Sequence, residues 1–531
     1  MIKETIHIDK ERCKLSLRYT CILGIIAHAY AFLHLQLSHD SLSEFYLQDE
    51  LFGSYTVYEW KIALGRFMNP IFRWLFQDDI SRPWLLGLFG LLCIGLASSL
   101  TVSLFSMEKK TDLFLVAGIY VTNVTVTACI ATYMEDFAVD MLALFLAVLA
   151  AFLWKEAQKS GNIKYILPGA GAVILMLGCY QSYLSVTVVL IMVSCVLDLM
   201  AGERLRPVFR NGLTGVLMLI LGAVGYLLTV KAVCCVTGVH LVKSGYNSLS
   251  NAWNRDIHII SELALVYRQA FWVFLSPTHF IKNGQFPALT KDTAALYIIS
   301  ILHAALLLLG LAELMRWLVS NRKNPKEKLL AVVLTGILPL AMNLAFFLSG
   351  ATHDLMNYAY WLLYLFVLLL LRRSGEEKSG VRKKAAVIML GVIIFFNVQT
   401  ANTLYVKKEI VQQSTLSTMT RVLSRIEELD GYQIGETPIA FIGTGTEVQN
   451  EVPGTWRVNE ITGAATNSAV TYQETYKAYF QNVLQYPICV CSAGEQKLLR
   501  ESETVKRMPV FPEKGSVQFV GNVIVVKMKN D

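Results

Sequence analysis

Ser38-His39-Asp40-Ser41-Leu42-Ser43 opens, and Asp78-Asp79-Ile80-Ser81-Arg82-Pro83 closes, a polar and aromatic stretch with a long apolar run on either side. Between its ends stand Tyr55-Thr56-Val57-Tyr58-Glu59-Trp60-Lys61 and Gly65-Arg66-Phe67-Met68-Asn69-Pro70. A connection this long between apolar runs is seldom a plain linker. It gathers carboxylates, an arginine and aromatic rings where apolar segments meet water, which is the make-up of half an active site.

The flanking runs set the class. The 531 residues are 54% hydrophobic and 16% charged, with a mean hydropathy of +0.47. Soluble domains carry about 25% charged residues, so a deficit sustained over this length indicates a polytopic membrane protein. The net charge of +7 does not indicate nucleic acid. The basic residues sit in short clusters between apolar runs, as the positive-inside rule requires. Ten cysteines form no C-x-x-C pair, and most lie in apolar runs, as buried free thiols do. Tyr19 to Leu37 is too long for a cleavable signal and lacks a small-residue cleavage site; it reads as a first span.

A span needs about 20 apolar residues. About eleven segments qualify: 18–37, 83–105, 112–133, 136–154, 164–180, 183–200, 211–236, 293–317, 329–349, 357–371 and 385–402. The N-terminal tail and every second connection are basic: Lys109-Lys110; Lys155, Lys159 and Lys164; Arg204, Arg206 and Arg210; Arg322 to Lys328; Arg372 to Lys384. These belong in the cytoplasm. The alternate connections, two long loops (38–82 and 237–292) and three tight turns, then face outward. Residues 1–402 form a membrane domain, and 403–531 an extracytoplasmic α/β domain. The N-terminus is then inside.

Within the first loop, Tyr55 to Phe76 reads as one aromatic helix lying in the interface, with Pro70 bending or ending it. After residue 402, Val406 to Leu429 carries Leu416, Met419, Leu423 and Ile426 at helical spacing. Pro438–Gly443, Pro487–Cys491 and Val517–Met528 read as strands, and Tyr472–Gln485 as a helix.

Four constellations suit chemistry. Asp40 stands just past the first span, where an accessible carboxylate can take a proton from a sugar hydroxyl; capping a turn is its plain alternative. Thr132 to Asp140 carries Glu135, Asp136 and Asp140. Asp136 and Asp140 share a helix face. Asp136 suits a helix start, but Asp140 lies a turn inside a span, where an aspartate costs about 2.5–3.5 kcal/mol at the centre. Such a residue calls for a partner, a wet cavity or a cation. Cys179 to Tyr183 offers Gln181 and Tyr183 to sugar hydroxyls, against aromatic-belt anchoring. Thr352-His353-Asp354 offers His353, against a capped helix start. Arg66 and Arg82 can each grip a phosphate through the guanidinium fork. Lys243, Arg255, Arg268 and Lys282 of the second loop read as solvated. No P-loop, G-x-G-x-x-G, H-E-x-x-H or G-x-S-x-G motif is present.

Ser38-His39-Asp40-Ser41, Gly65-Arg66-Phe67-Met68-Asn69-Pro70, Arg82-Pro83-Trp84-Leu85-Leu86-Gly87, Tyr133 to Asp140 and Tyr180-Gln181-Ser182-Tyr183, in that order, resemble the bacterial Gtr-type glucosyltransferases. These decorate O-antigen and related surface polysaccharides and are grouped with the GT-C membrane glycosyltransferases. The resemblance covers residues 15–400. It implies a GT-C-like polytopic helical fold and a polyprenyl-phosphate-linked sugar, usually glucose, as donor. It implies transfer to a polysaccharide or glycolipid acceptor on the outer face. It also maps the acidic residue of the first outer loop onto Asp40, those of the second turn onto Glu135 and Asp136, and a lipid-phosphate ligand onto Arg66.

The expectation is therefore a hexosyltransferase. Asp40, Glu135 and Asp136 are its catalytic carboxylates, and Arg66 and Arg82 hold the donor phosphate. Asp140, Gln181, Tyr183 and His353 bind acceptor or sugar or support a metal. Carboxylate oxygens suit Mg²⁺ or Mn²⁺, though no ligand set is defined. The rival is a transporter or flippase of lipid-linked saccharides, which would favour midplane polar groups and repeated halves.

Overall fold

The computed structural model describes residues 8–46, 55–76, 81–243, 248, 258–276, 289–290, 293–320, 325–350, 352–373, 376–443, 452–459, 461, 469–471 and 473–529. Asp78, Asp79, Ile80, Arg255 and Lys282 lie outside them.

The chain opens with α1 (Lys10–Leu33), whose Asp9 cap accepts from the Glu11 and Arg12 amides at 3.0 and 3.2 Å. Short helices follow: α2 (His39–Tyr46), α3 (Val57–Ala63) and α4 (Met68–Phe76). The bundle continues with α5 (Pro83–Leu104), α6 (Lys110–Val121), α7 (Val124–Thr132), α8 (Met134–Ser160), α9 (Ile166–Cys179), α10 (Leu184–Ala201) and α11 (Leu205–Thr237). Then come α12 (Ile259–Leu275), α13 (Ala294–Ser320), α14 (Pro325–Met342), α15 (Leu344–Ser349), α16 (Leu362–Arg373) and α17 (Glu376–Glu427).

Among the described residues, eight helices are long and apolar enough to cross a membrane; α6 and α7 count together as one. Each coincides with one of the eleven expected segments. The other three segments fall on α9, on α14 with α15, and on α16, which is only 12 residues long. The protein is a membrane protein by this measure, and its surface agrees. Leu213, Leu217, Ile220, Val224 and Leu228 of α11 and Ile298, Ile301 and Leu308 of α13 are exposed. A monomer in water rarely shows so continuous an apolar face, whereas lipid tails cover one at no cost.

Close approach in the interior rests on glycine. A Cβ on Gly90 of α5 would lie 2.3 Å from the Phe137 ring of α8, so the two helices meet only because it has none. At one end of the bundle, ion pairs tie neighbours together: Arg12 to Glu108 at 3.2 Å, Arg372 to Asp112 at 3.3 Å and Lys155 to Asp198 at 2.5 Å. These are the basic connections of the sequence. The other end carries the first loop, the α7–α8 turn and the α9–α10 turn.

The first loop departs from the expected single helix. The chain breaks at Gly65, whose φ of 77° is one that glycine adopts without penalty. Pro70 causes no break: it stands in the first turn of α4, where its missing N–H is harmless. The second loop contains α12, a 17-residue helix unrecognised in the sequence; its Phe274 ring meets Tyr360 and Tyr364 edge-on.

The last expected span and the helix after it are one 52-residue helix, α17. It leads to β1 (Pro438–Ile442), α18 (Gln473–Ala478), β2 (Cys489–Val490), α19 (Ala493–Glu501), α20 (Glu503–Arg507), β3 (Val517–Val520) and β4 (Val523–Lys527). The sheet order is β2-β1-β4-β3, with β1 parallel to β2 and β4 and β3 antiparallel to β4. Val517–Met528, expected as one strand, is a hairpin, turned at Gly521 with φ 64°. One core joins Met419, Val422 and Ile426 of α17 to Ile439, Phe441, Ile524 and Val526 of the sheet. Leu37 and Leu42, on either side of Asp40, belong to that same core.

Candidate functional site

The site grows from the start of α8. Tyr133 precedes the helix, and Glu135 and Asp136 occupy its first turn, where the helix dipole favours carboxylates. Asp140 follows on the next turn, on the face of Asp136. All three are buried, at 4%, 4% and 5% exposure. Charges so enclosed must be paired or hydrogen-bonded.

The first loop supplies the partners. A capping box starts α3: the Glu59 amide donates to Thr56 Oγ1 at 3.2 Å and the Thr56 amide to Glu59 Oε2 at 2.8 Å. The short helix so fixed turns Lys61 inward, and its buried ammonium donates to Asp136 Oδ2. Asn69 Nδ2 of α4 donates to Asp136 Oδ1 at 3.2 Å. Arg73, a turn beyond Asn69, lines one small cavity with Asn69, Glu135 and Asp136. Ser41 of α2 donates to Glu135 Oε2 at 3.2 Å, and Ser38 to the Thr132 carbonyl at 2.7 Å. From the far end of the chain, Lys408 of α17 donates to the Ala131 carbonyl, within Coulombic reach of Glu135.

The break at Gly65 is clamped. Gln181 Nε2 donates to the Leu64 carbonyl and to the Tyr226 hydroxyl, both at 2.9 Å, and that hydroxyl donates to the Gly65 carbonyl at 3.2 Å. The next residue, Arg66, lies over the Tyr180 ring at 4.4 Å. Burial opposes its charge, but Tyr180, Asp136, Asp140 and Tyr133 outweigh burial and hold its pKa above the ordinary guanidinium value. Its Nε is buried without a hydrogen-bond partner among the described residues. Tyr183 is buried beside Tyr180 and Tyr358, ring centroids 5.9 and 5.7 Å away; its hydroxyl also lacks a partner among the described residues.

Asp40 stands apart in character. Its side chain is 15% exposed and lies 3.2 Å from His39 Nε2, in the α2 turn that carries Ser41. Arg82 is the N-cap residue of α5, without a side-chain capping bond. His353 precedes a 3-10 turn, Asp354–Met356, which α7 holds through Thr125 Oγ1 donating to the Asp354 carbonyl at 2.8 Å. The expected residues Glu135, Asp136, Asp140, Arg66, Gln181 and Tyr183 thus come together around the ends of α8 and α9. Lys61, Asn69, Arg73, Tyr226 and Lys408 went unrecognised. Asn69 and Arg73, four apart, share a face of α4, a signal that was available. Lys408, 273 positions from Glu135, left none.

A divalent cation finds no ready site here. Among the described residues no three His, Cys, Asp or Glu side chains are grouped to hold a metal. Asp136 faces the Lys61 ammonium instead, and Asp140 Oδ2 accepts from the Cys129 thiol at 3.4 Å. What the arrangement offers is fixed positive charge from Arg66, Arg73 and Lys61, the partly exposed carboxylate of Asp40, and aromatic walls.

A comparison with curated proteins finds no match. A family profile described as glucosyl transferase GtrII matches residues 46–370, a range from the end of α2 almost through α16 that contains every buried charge of the cluster except Lys408. The chain belongs to the glucosyl transferase GtrII family, and its activity is that of a membrane glycosyltransferase.

Proposed function

We propose that this protein moves a sugar, glucose, from a polyprenyl-phosphate-linked donor to a cell-surface polysaccharide or glycolipid on the outer face of the bacterial cytoplasmic membrane. In this reading the bundle is GT-C-like with eleven spans, the shorter α9, α14–α15 and α16 included. The N-terminus is cytoplasmic, and residues 403–531 form an extracytoplasmic domain.

The observation that carries the proposal is Arg66. Its guanidinium lies on Tyr180, feels the buried carboxylates of Asp136 and Asp140, and keeps a buried Nε that no described group accepts. A phosphate oxygen satisfies such a donor, and the stacked fork is suited to it. Asp40 is the base, because it is the accessible carboxylate beside the cluster. It takes the proton from the acceptor hydroxyl while that oxygen bonds to the anomeric carbon. The bond from that carbon to the lipid phosphate breaks, and its electron pair leaves with the phosphate, through an oxocarbenium-like transition state. Arg66, with Arg82, stabilises the departing anion. Asp136, held by Lys61 and Asn69, fixes α3 and α4 against α8 and so sets where Arg66 stands. Glu135, Asp140, Gln181, Tyr183 and His353 border the acceptor path. No step uses a metal.

Purified protein in mixed micelles, given lipid-linked glucose and candidate glycan acceptors, should release free polyprenyl phosphate together with a glycosylated acceptor. Movement of intact lipid-linked sugar across proteoliposomes, with no phosphate released under any donor, would instead identify a transporter.

A further inference from the structure

The end of the bundle opposite the carboxylates holds a second polar cavity. Lys155 lies 19 positions beyond Asp136 on α8, about 28 Å along the helix axis. It lines a cavity of about 280 Å³ with Lys159, Asp198, Arg372 and Arg373. Four cations line it against Asp198, with Asp112 beside Arg372, and an excess of like charge between packed helices is relieved when an anion joins it.

Lys155, Arg372 and Arg373 are held in place. Lys155 donates to Asp198 Oδ2 at 2.5 Å. Arg372 sets Nε against Asp112 at 3.3 Å and Nη2 on the Ser106 carbonyl at 3.3 Å. Arg373 donates to the Leu197 carbonyl. Neutralising the carbonyl ends of α5 and α10 explains part of this, because cations are favoured there. It does not explain a cavity that Lys155 and Lys159 line as well. Leu104, Phe105, Leu197 and Leu369, with Ser106 and Ser194, complete the lining, so the space brings basic and apolar groups together.

We propose that this cavity binds the phosphate of an anionic phospholipid, with the headgroup against Arg373, Lys155 and Lys159 and the glycerol end on Phe105 and Leu369. The shared chemistry is a phosphate anion gripped by guanidinium and ammonium groups. The apolar residues in the lining point to a lipid source over free phosphate; basic pockets between spans bind such headgroups. The site is separate from the glycosyl-transfer cluster and does not depend on the donor assigned there.

The test is native mass spectrometry and thermal unfolding of the full chain, delipidated and then given phosphatidylglycerol, phosphatidylcholine or inorganic phosphate. Phosphatidylglycerol should be retained in preference to phosphatidylcholine and should raise the unfolding temperature. Removing one phosphate contact should weaken retention by about tenfold, the scale of one charge-assisted bond, in both Arg373→Gln and Lys159→Glu. Lys159 is exposed, so Lys159→Glu keeps the comparison sound if Arg373→Gln folds poorly. Stabilisation by inorganic phosphate equal to that by phosphatidylglycerol would overturn the lipid assignment. No preference between the two lipids, or equal retention by Lys159→Glu and the parent, would overturn the site.

Discussion

Replacing Lys61 by methionine tests the centre of the arrangement. The Lys61 and Asp136 side chains are 2% and 5% exposed, so Lys61→Met leaves a carboxylate buried without its main counter-charge. Breaking a buried pair from one side costs about 3–5 kcal/mol. The lower figure is expected, because Asn69 still donates to Asp136 Oδ1 and Arg73 still shares its cavity. A loss of about 3 kcal/mol lowers the folded-to-unfolded ratio by about two orders of magnitude. Lys61→Met/Asp136→Leu removes both charges, and an apolar replacement of a buried pair is often neutral or better. The double variant should therefore recover most of the stability lost by the single one. Denaturation in mixed micelles, followed by the fluorescence of the nine tryptophans, reads both. If Lys61→Met is as stable as the parent, or if the double variant loses the sum of the two single losses, the pair does not hold α3 against α8.

Asp40→Asn keeps size and hydrogen bonding but cannot take a proton; transfer should fall by about 10²–10⁴-fold at unchanged folding. A near-parental rate in purified Asp40→Asn, with Asp136→Asn inactive, would move the base to α8. Arg66→Lys should weaken donor use and Arg66→Ala weaken it more, since lysine keeps charge without the fork; parental turnover by both would make Arg66 an anchor only. For topology, Lys497→Cys in a Cys235→Ser background should react with an impermeant maleimide in intact cells, and reaction only after lysis would invert the orientation.

Apolar length and the spacing of lysine and arginine made the membrane class legible, because lipid imposes a strong and local demand on every spanning residue. Asp140 was legible for the same reason: an aspartate inside an apolar run needs an explanation. Lys61 was not. It sits in a short helix of mixed composition, where an inward and an outward lysine look alike until α8 is placed beside it. Gly65 and Pro70 show the same limit. Either can interrupt a helix, and the choice fell to Gly65 because Gln181 and Tyr226, more than 100 positions away, bind the carbonyls on either side of the break. The C-terminal strands were legible as apolar runs, but the hairpin inside Val517–Met528 depended on the small turn at Gly521.

The unbroken α17 imposes a phase relation on the two ends of the chain. Successive residues of a helix advance by about 100°. Lys408, Met419, Val422 and Ile426 consequently project within about 60° of one another, the first toward the turn before α8 and the others into the sheet's core. One residue inserted between Lys408 and Met419 would swing the whole β-sheet by about 100° and tear Leu37 and Leu42 from their seats. Four inserted residues would restore the bearing to within about 40° while lifting the sheet by about 6 Å. The spacing between sheet and bundle can therefore change only in steps of roughly one helical turn, so natural length variants of this segment should differ by three, four or seven residues and not by one or two.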